Sequence, residues 1–113
     1  MTRRSEKVAS LLREALSEII LYELNNPLFK NFLSITEIRI GGDLRKATVY
    51  FRVFSADPKE VENALNQSKG YIKKLLSKKI TLKFMPDIEF KIDTSEEEER
   101  RLLELLEKIK KEK

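Results

Sequence analysis

Ala64-Leu65-Asn66-Gln67-Ser68-Lys69-Gly70-Tyr71-Ile72-Lys73-Lys74-Leu75-Leu76 continues a helix that opens at Asp57-Pro58-Lys59-Glu60. A carboxylate at Asp57 can accept the orphan N–H groups of a first turn. Pro58 suits the first helical position, because its φ is already helical. Glu60 stands at capping-box spacing from Asp57. Val61, Ala64, Leu65, Ser68, Ile72, Leu75 and Leu76 then hold one face at steps of three and four. Gly70 lies inside that pattern. A glycine in a helix interior costs about 1 kcal/mol against alanine. The stretch therefore predicts an interrupted helix, with a packing or backbone reason for Gly70 such as two backbones meeting there.

The same region carries a charge signature. Lys69, Lys73, Lys74, Lys78, Lys79 and Lys83 follow one another with no Asp or Glu between them. Most of them flank the apolar face, so a basic surface around a broken helix is expected. Such a surface suits a polyanion. A solvated flank in a lysine-rich chain accounts for the run equally well.

Upstream, Val8, Leu11, Leu12, Ala15, Leu16, Ile19 and Ile20 recur at helical spacing and predict a first helix over 5–24. Asn25-Asn26-Pro27 ends it, since proline biases the preceding residue away from helix. Arg3, Arg4 and Lys7 crowd its start, where cations oppose the helix dipole. They either reach for phosphate or form an ordinary basic terminus. Residues 33–40 and 46–54 read as a hairpin around Gly41-Gly42-Asp43, with glycines available for positive φ. Ala47, Val49, Phe51 and Val53 alternate toward the helices. Tyr50, Arg52 and Phe54 fall on the other face, either as an aromatic-basic platform for bases or as a partly covered sheet face.

Downstream, Ile80–Phe84 and Ile88–Ile92 read as one strand in two pieces, separated by Pro86. Ser95 is expected to cap a last helix, with Glu98 at the capping-box position. Leu102, Leu105, Leu106 and Ile109 form its stripe, with Glu96–Glu99 at one end and Lys108, Lys110, Lys111 and Lys113 at the other.

Composition narrows the function. The chain has 113 residues and a net charge of +4, which permits nucleic-acid binding without demanding it. Segment 25–56 carries five bases and two acids, and 57–79 six bases and three acids. The basic excess thus lies on the hairpin and the interrupted helix. There is no cysteine and no histidine, which removes the commonest nucleophile–base pairs and nearly all zinc sites. Gly41, Gly42 and Gly70 are the only glycines, too few for a phosphate-cradling loop. No apolar run approaches a membrane span, and no signal-peptide core opens the chain. A non-enzyme without cofactor or metal, in a reducing cytoplasm, is expected.

The elements assemble into one α+β domain over 1–93, in the order α-β-β-α-(kink)-α-β. A small three-stranded sheet carries helices on one face. Residues 94–113 add a C-terminal helix that packs on the domain or projects.

Several of these pieces resemble the bacterial ribosome-binding factor A family, over residues 3–106 or so. They are Arg4 and Val8, Asn26-Pro27-Leu28, Ile35-Thr36-Glu37-Ile38, Asp43-Leu44-Arg45-Lys46-Ala47-Thr48-Val49-Tyr50, Ala64-Leu65, Gly70-Tyr71-Ile72-Lys73, and Pro86-Asp87-Ile88-Glu89-Phe90-Lys91-Ile92-Asp93. The resemblance implies a KH-like fold of the second topological type, with an alanine-x-glycine kink in place of the GxxG loop. Here that triplet is Ser68-Lys69-Gly70, with serine for alanine. The family's Asp-Pro-Arg is Asn26-Pro27-Leu28 here, so no phosphate contact carries over to Leu28.

The resemblance also implies a function: binding the free small (30S) ribosomal subunit and assisting its maturation, 16S rRNA 5′-end processing and growth in the cold, without catalysis. On this reading the partners are 16S rRNA and the small subunit, with no membrane, and the protein is a monomer. The cations expected to meet RNA are Arg3, Arg4, Lys7, Arg45, Lys46, Arg52, Lys69, Lys73, Lys74 and Lys78. The alternative is a protein-interaction adaptor whose basic face meets an acidic partner.

Overall fold

The computed structural model describes residues 3–30, 33–54 and 56–111. Lys113, expected at the end of the last helix, lies outside them. The chain runs α1 (Arg3–Glu18), a π-turn (Ile19–Glu23), a 3-10 turn (Pro27–Lys30), β1 (Ser34–Ile40), β2 (Lys46–Arg52), α2 (Pro58–Gln67), α3 (Lys69–Lys79), β3 (Asp87–Ile92) and α4 (Ser95–Lys111). The sheet order is β1-β2-β3, with β1 antiparallel and β3 parallel to β2. This is the expected α+β architecture.

The core lies between one sheet face and the first three helices. Ala47, Val49 and Phe51 of the central strand are fully buried, as their alternation predicts. Leu12 and Leu16 from α1, Ile19 from the π-turn, Val61 and Leu65 from α2, and Ile72 and Leu76 from α3 close over them. Leu11, expected on the inner face of α1, stays 45% exposed, and Ser5 is buried instead. On β1, Ile35, Ile38 and Ile40 all face inward although the first two are three residues apart. A bulge between Ile35 and Glu37 reconciles that spacing with the pleat.

Three local expectations are corrected. Positive φ in the hairpin falls on Leu44, at +60°, and on neither glycine. The Leu44 N–H closes a tight turn onto the Gly41 carbonyl (2.9 Å), and a left-handed residue after such a turn returns the chain into β2. Residues 80–86 form no strand, because they pair with none of the three strands of the sheet. Ile80, Leu82 and Met85 pack on the core edge as an irregular connector. The α4 cap sits one residue early. The Thr94 hydroxyl donates to Glu98 (3.0 Å), while the Ser95 N–H is taken by the Asp93 carboxylate (2.9 Å).

Asp93 gathers the end of the sheet. Its carboxylate also accepts from the Thr36 hydroxyl and faces Arg52 at 3.8 Å. The hydrogen bond from Thr36, then those from Ser95, hold its pKa down at about 2, against an ordinary 3.8. The folded state therefore favours the charged form. Its contribution is complete above the ordinary value and is lost as pH falls toward the depressed one. With solvent screening we expect about 1 kcal/mol. Urea midpoints measured from pH 5 to pH 2 should fall more steeply for the unmodified protein than for Asp93→Asn.

The helix interruption is real, but its cause is not the one expected. It falls on Ser68 (φ −90°, ψ 0°), whose N–H is shared between the Ala64 and Leu65 carbonyls at 3.1 Å each. Gly70 lies in the first turn of α3 with negative φ, and a Cβ placed there meets nothing within 4 Å. No backbones meet at Gly70. Gly70→Ala should therefore raise the melting temperature, by a gain of about 0.5–1 kcal/mol in helix propensity. A thermal melt that drops would restore the packing explanation.

Candidate nucleic-acid interface

The open space beside Gly70 belongs to a groove of about 720 Å³. Asn66, Lys69, Gly70 and Lys73 of the bent helix pair form one wall. Arg45 and Lys46, where the hairpin enters β2, and Asp87, Ile88 and Glu89 of β3 form the other.

Two of its cations are tied down. The Lys73 ammonium donates to Asp87 at 2.9 Å, and Lys46 pairs with Glu89 at 3.0 Å. Lys73 lowers the Asp87 pKa and Lys46 lowers that of Glu89, in each case first through the hydrogen bond and then through charge. Both acids are solvent-facing, so these pairs are screened and exchangeable. Arg45 reaches Asp43 only at 4.0 Å, and Lys69 has no ion-pair partner among the described residues. The rim therefore keeps a cationic excess.

Asn66 builds the groove's end. Its side-chain oxygen accepts from the Phe90 N–H (2.9 Å) and its amide nitrogen donates to the Phe90 carbonyl (3.0 Å). Glu62, one turn earlier, accepts from the Ile92 N–H (2.9 Å). These bonds fasten α2 along the outer edge of β3 and fix where the wall stops.

The structure thus brings Arg45, Lys46, Lys69 and Lys73 together. Lys74 and Lys78 lie on α3 outside the groove lining. Arg3, Arg4 and Lys7 occupy the first turns of α1, where Glu6 lines an open depression together with Ile40, Gly41 and Lys46, so they stand at the same end of the molecule. Arg52 does not join them. It closes the far end of β2, roughly 20 Å along the strand from Lys46, and contacts Glu96 (3.3 Å) and the Ser95 hydroxyl (3.1 Å) as well as Asp93. There it anchors the start of α4. The Tyr50, Arg52 and Phe54 set forms no common platform, because Arg39 covers Tyr50 (5.5 Å to the ring) and Phe54 lies beyond the strand.

Sequence reasoning misses Asn66. A partial signal exists: Asn63 and Asn66 are both poor helix-interior residues, and only Asn66 follows Leu65 of the apolar stripe. Among the described residues, no group of acids could hold a metal ion, and no helix is long and apolar enough to cross a membrane.

Comparison with known proteins agrees with this architecture. A family model described as ribosome-binding factor A matches residues 4–106. A ribosome-binding factor A from Dictyoglomus thermophilum is 35% identical over 111 residues, covering 96% of this chain and 92% of that protein. The crystal structure of ribosome-binding factor A from Thermus thermophilus superposes with a TM-score of 0.69 at 24% identity, over 77% of this chain and 93% of that one. A homology model of Thermus thermophilus ribosome binding factor A, fitted into a cryo-electron-microscopy map of a 30S complex with that factor, gives 0.64 at 23% identity, over 76% of this chain and 91% of the other.

Proposed function

The chain belongs to the ribosome-binding factor A family, and from that premise we propose that it binds the free small ribosomal subunit through 16S rRNA. On this reading it assists maturation of the subunit, including processing of the 16S 5′ end, in the cytoplasm and without catalysing a reaction itself. One observation supports the RNA contact above others: the groove that gathers Arg45, Lys46, Lys69 and Lys73 around Gly70. Phosphates attract such a rim, and each one neutralised releases condensed counterions. A binder of this kind assists assembly by population shift. It favours one rRNA conformation only to the extent that it binds that form better than its competitors.

Co-sedimentation with ribosomal particles at graded salt tests the proposal. The protein should travel with free small subunits, be absent from large subunits and translating ribosomes, and dissociate steadily as salt rises. A protein that ignores small subunits and instead captures an acidic protein, with no competition from rRNA, is the adaptor.

A further inference from the structure

α4 leaves the end of the sheet as a helix of 17 residues, none of them buried and none packed on the core. Leu102, Leu103, Leu105, Leu106 and Ile109 are each between 50% and 58% exposed. Leu102, Leu105, Leu106 and Ile109 recur at steps of three and one, a stripe along one side. A lone helix of this length is marginal in water and is stabilised by burying such a stripe. Only its foot is held, where Arg52 meets Asp93, Ser95 and Glu96.

Charge selects the occupant of the stripe. Glu96–Glu99 stand at the start of α4, and Lys108, Lys110 and Lys111 in its last turn. Such a helix complements itself when turned end for end, because the acids of one copy then meet the lysines of the other and the macrodipoles oppose. Parallel copies set like charges together.

We propose that α4 pairs antiparallel with α4 of a second copy, about a twofold axis near Leu105 and Leu106. The contact is isologous, the same patch on both copies. It sets Leu102 against Ile109 of the second copy. Glu99, Leu103, Leu106 and Lys110 follow one another at steps of four, three and four, so they share one flank of the stripe. Glu99 then lies beside Lys110 of the second copy, and Leu103 beside Leu106 of the second copy. On the other flank Arg101 meets Lys108 of the second copy, a like-charge contact at the solvent edge that keeps the pair weak. Covering the five apolar side chains on each copy removes on the order of 1,000 Å² of surface in all, the low end for a specific pair. The monomer expected from the family is the dilute form of this equilibrium. The pairing stands independently of the RNA-binding reading.

Other occupants fit less well. A lipid surface calls for a cationic polar face, and residues 95–111 carry six acids against five bases. A polyanion is repelled by Glu96–Glu99 and makes no use of leucines. The uncovered face of the chain's own sheet carries the Arg39–Glu37 and Lys46–Glu89 ion pairs, which an apolar stripe would strip of water.

Sedimentation equilibrium of the full chain, from about 1 μM to about 500 μM, tests the pairing. The average mass should rise from one chain toward two, with a midpoint on the order of tens of micromolar. Glu99→Lys alone and Lys110→Glu alone should each weaken self-association by roughly tenfold, since each turns two attractions across the axis into repulsions. An equimolar mixture of the two variants should recover the mass of a pair, because every 99–110 contact between unlike chains is again attractive. A variant that merely unfolded α4 would gain nothing from mixing. The proposal is overturned if the unmodified chain keeps the mass of one copy throughout. It is also overturned if either single variant associates as well as the unmodified chain, the result a parallel pair would give, or if the mixture stays dissociated.

Discussion

Asn66→Ala is expected to lower the unfolding free energy by about 2–4 kcal/mol. The side chain is bound on both sides to Phe90, whose N–H and carbonyl face away from the neighbouring strand. Alanine leaves both groups half-buried without a partner, and each such group costs about 1–3 kcal/mol. The loss also loosens α2 from β3, so the wall of the groove should move. Asn66→Asp keeps an acceptor for the N–H but offers the carbonyl no donor, and it should fall between the two. Asn63→Ala, on the exposed side of the same helix, should change stability by less than about 0.5 kcal/mol. Urea unfolding of the three variants decides this. Equal midpoints for Asn66→Ala and Asn63→Ala would mean that the clamp contributes nothing.

The second large effect is on binding. Lys69→Glu combined with Lys73→Glu shifts the charge of the groove rim by about four units, and affinity for small subunits should fall by roughly one to two orders of magnitude at low salt. The slope of affinity against salt should flatten as well, by roughly one unit per lost phosphate contact. Stability should change little, because both side chains are at the surface and the Lys73–Asp87 pair is exposed. Lys110→Glu with Lys111→Glu is the control, since these lie in the last turn of α4, far along the chain from the groove. The pair Lys74→Glu and Lys78→Glu asks a finer question. If it matters as much as Lys69 and Lys73, the RNA surface is the whole basic flank of α3 and not the groove.

Most of the architecture is legible in the sequence because apolar periodicity reports directly on burial. The stripe from Val61 to Leu76 predicts which side of the bent helix meets the sheet, and Val61, Leu65, Ile72 and Leu76 are fully buried. Misreadings arise where one local pattern serves two geometries. Ile80, Leu82 and Phe84 alternate like a strand, but only pairing with a neighbour's free backbone groups makes a strand, and this segment pairs with none of the three strands. Gly41 and Gly42 look like the residues for positive φ, while the turn places that conformation on Leu44. Gly70 reads as a packing contact, whereas the structure leaves space there. Among the candidate RNA cations, Arg45, Lys46, Lys69 and Lys73 come together only through the parallel pairing of β3 with β2. Charge counting along the chain carries no information about that pairing. It cannot separate them from Arg52, which the fold commits to the start of α4.

That parallel pairing also sets the order in which the protein can fold. β1 and β2 are joined by a short turn and can pair early. Lys46 meets Asp87 only after both middle helices have formed a return path. Closing so long a loop is entropically slow, and such non-local contacts govern folding rates. During synthesis, Val49 and Phe51 have a neighbour on one side only until Asp87–Ile92 has left the ribosomal tunnel. A nascent chain stalled before β3 should therefore remain open to proteases, and release past Asp93 should close it in a single cooperative step.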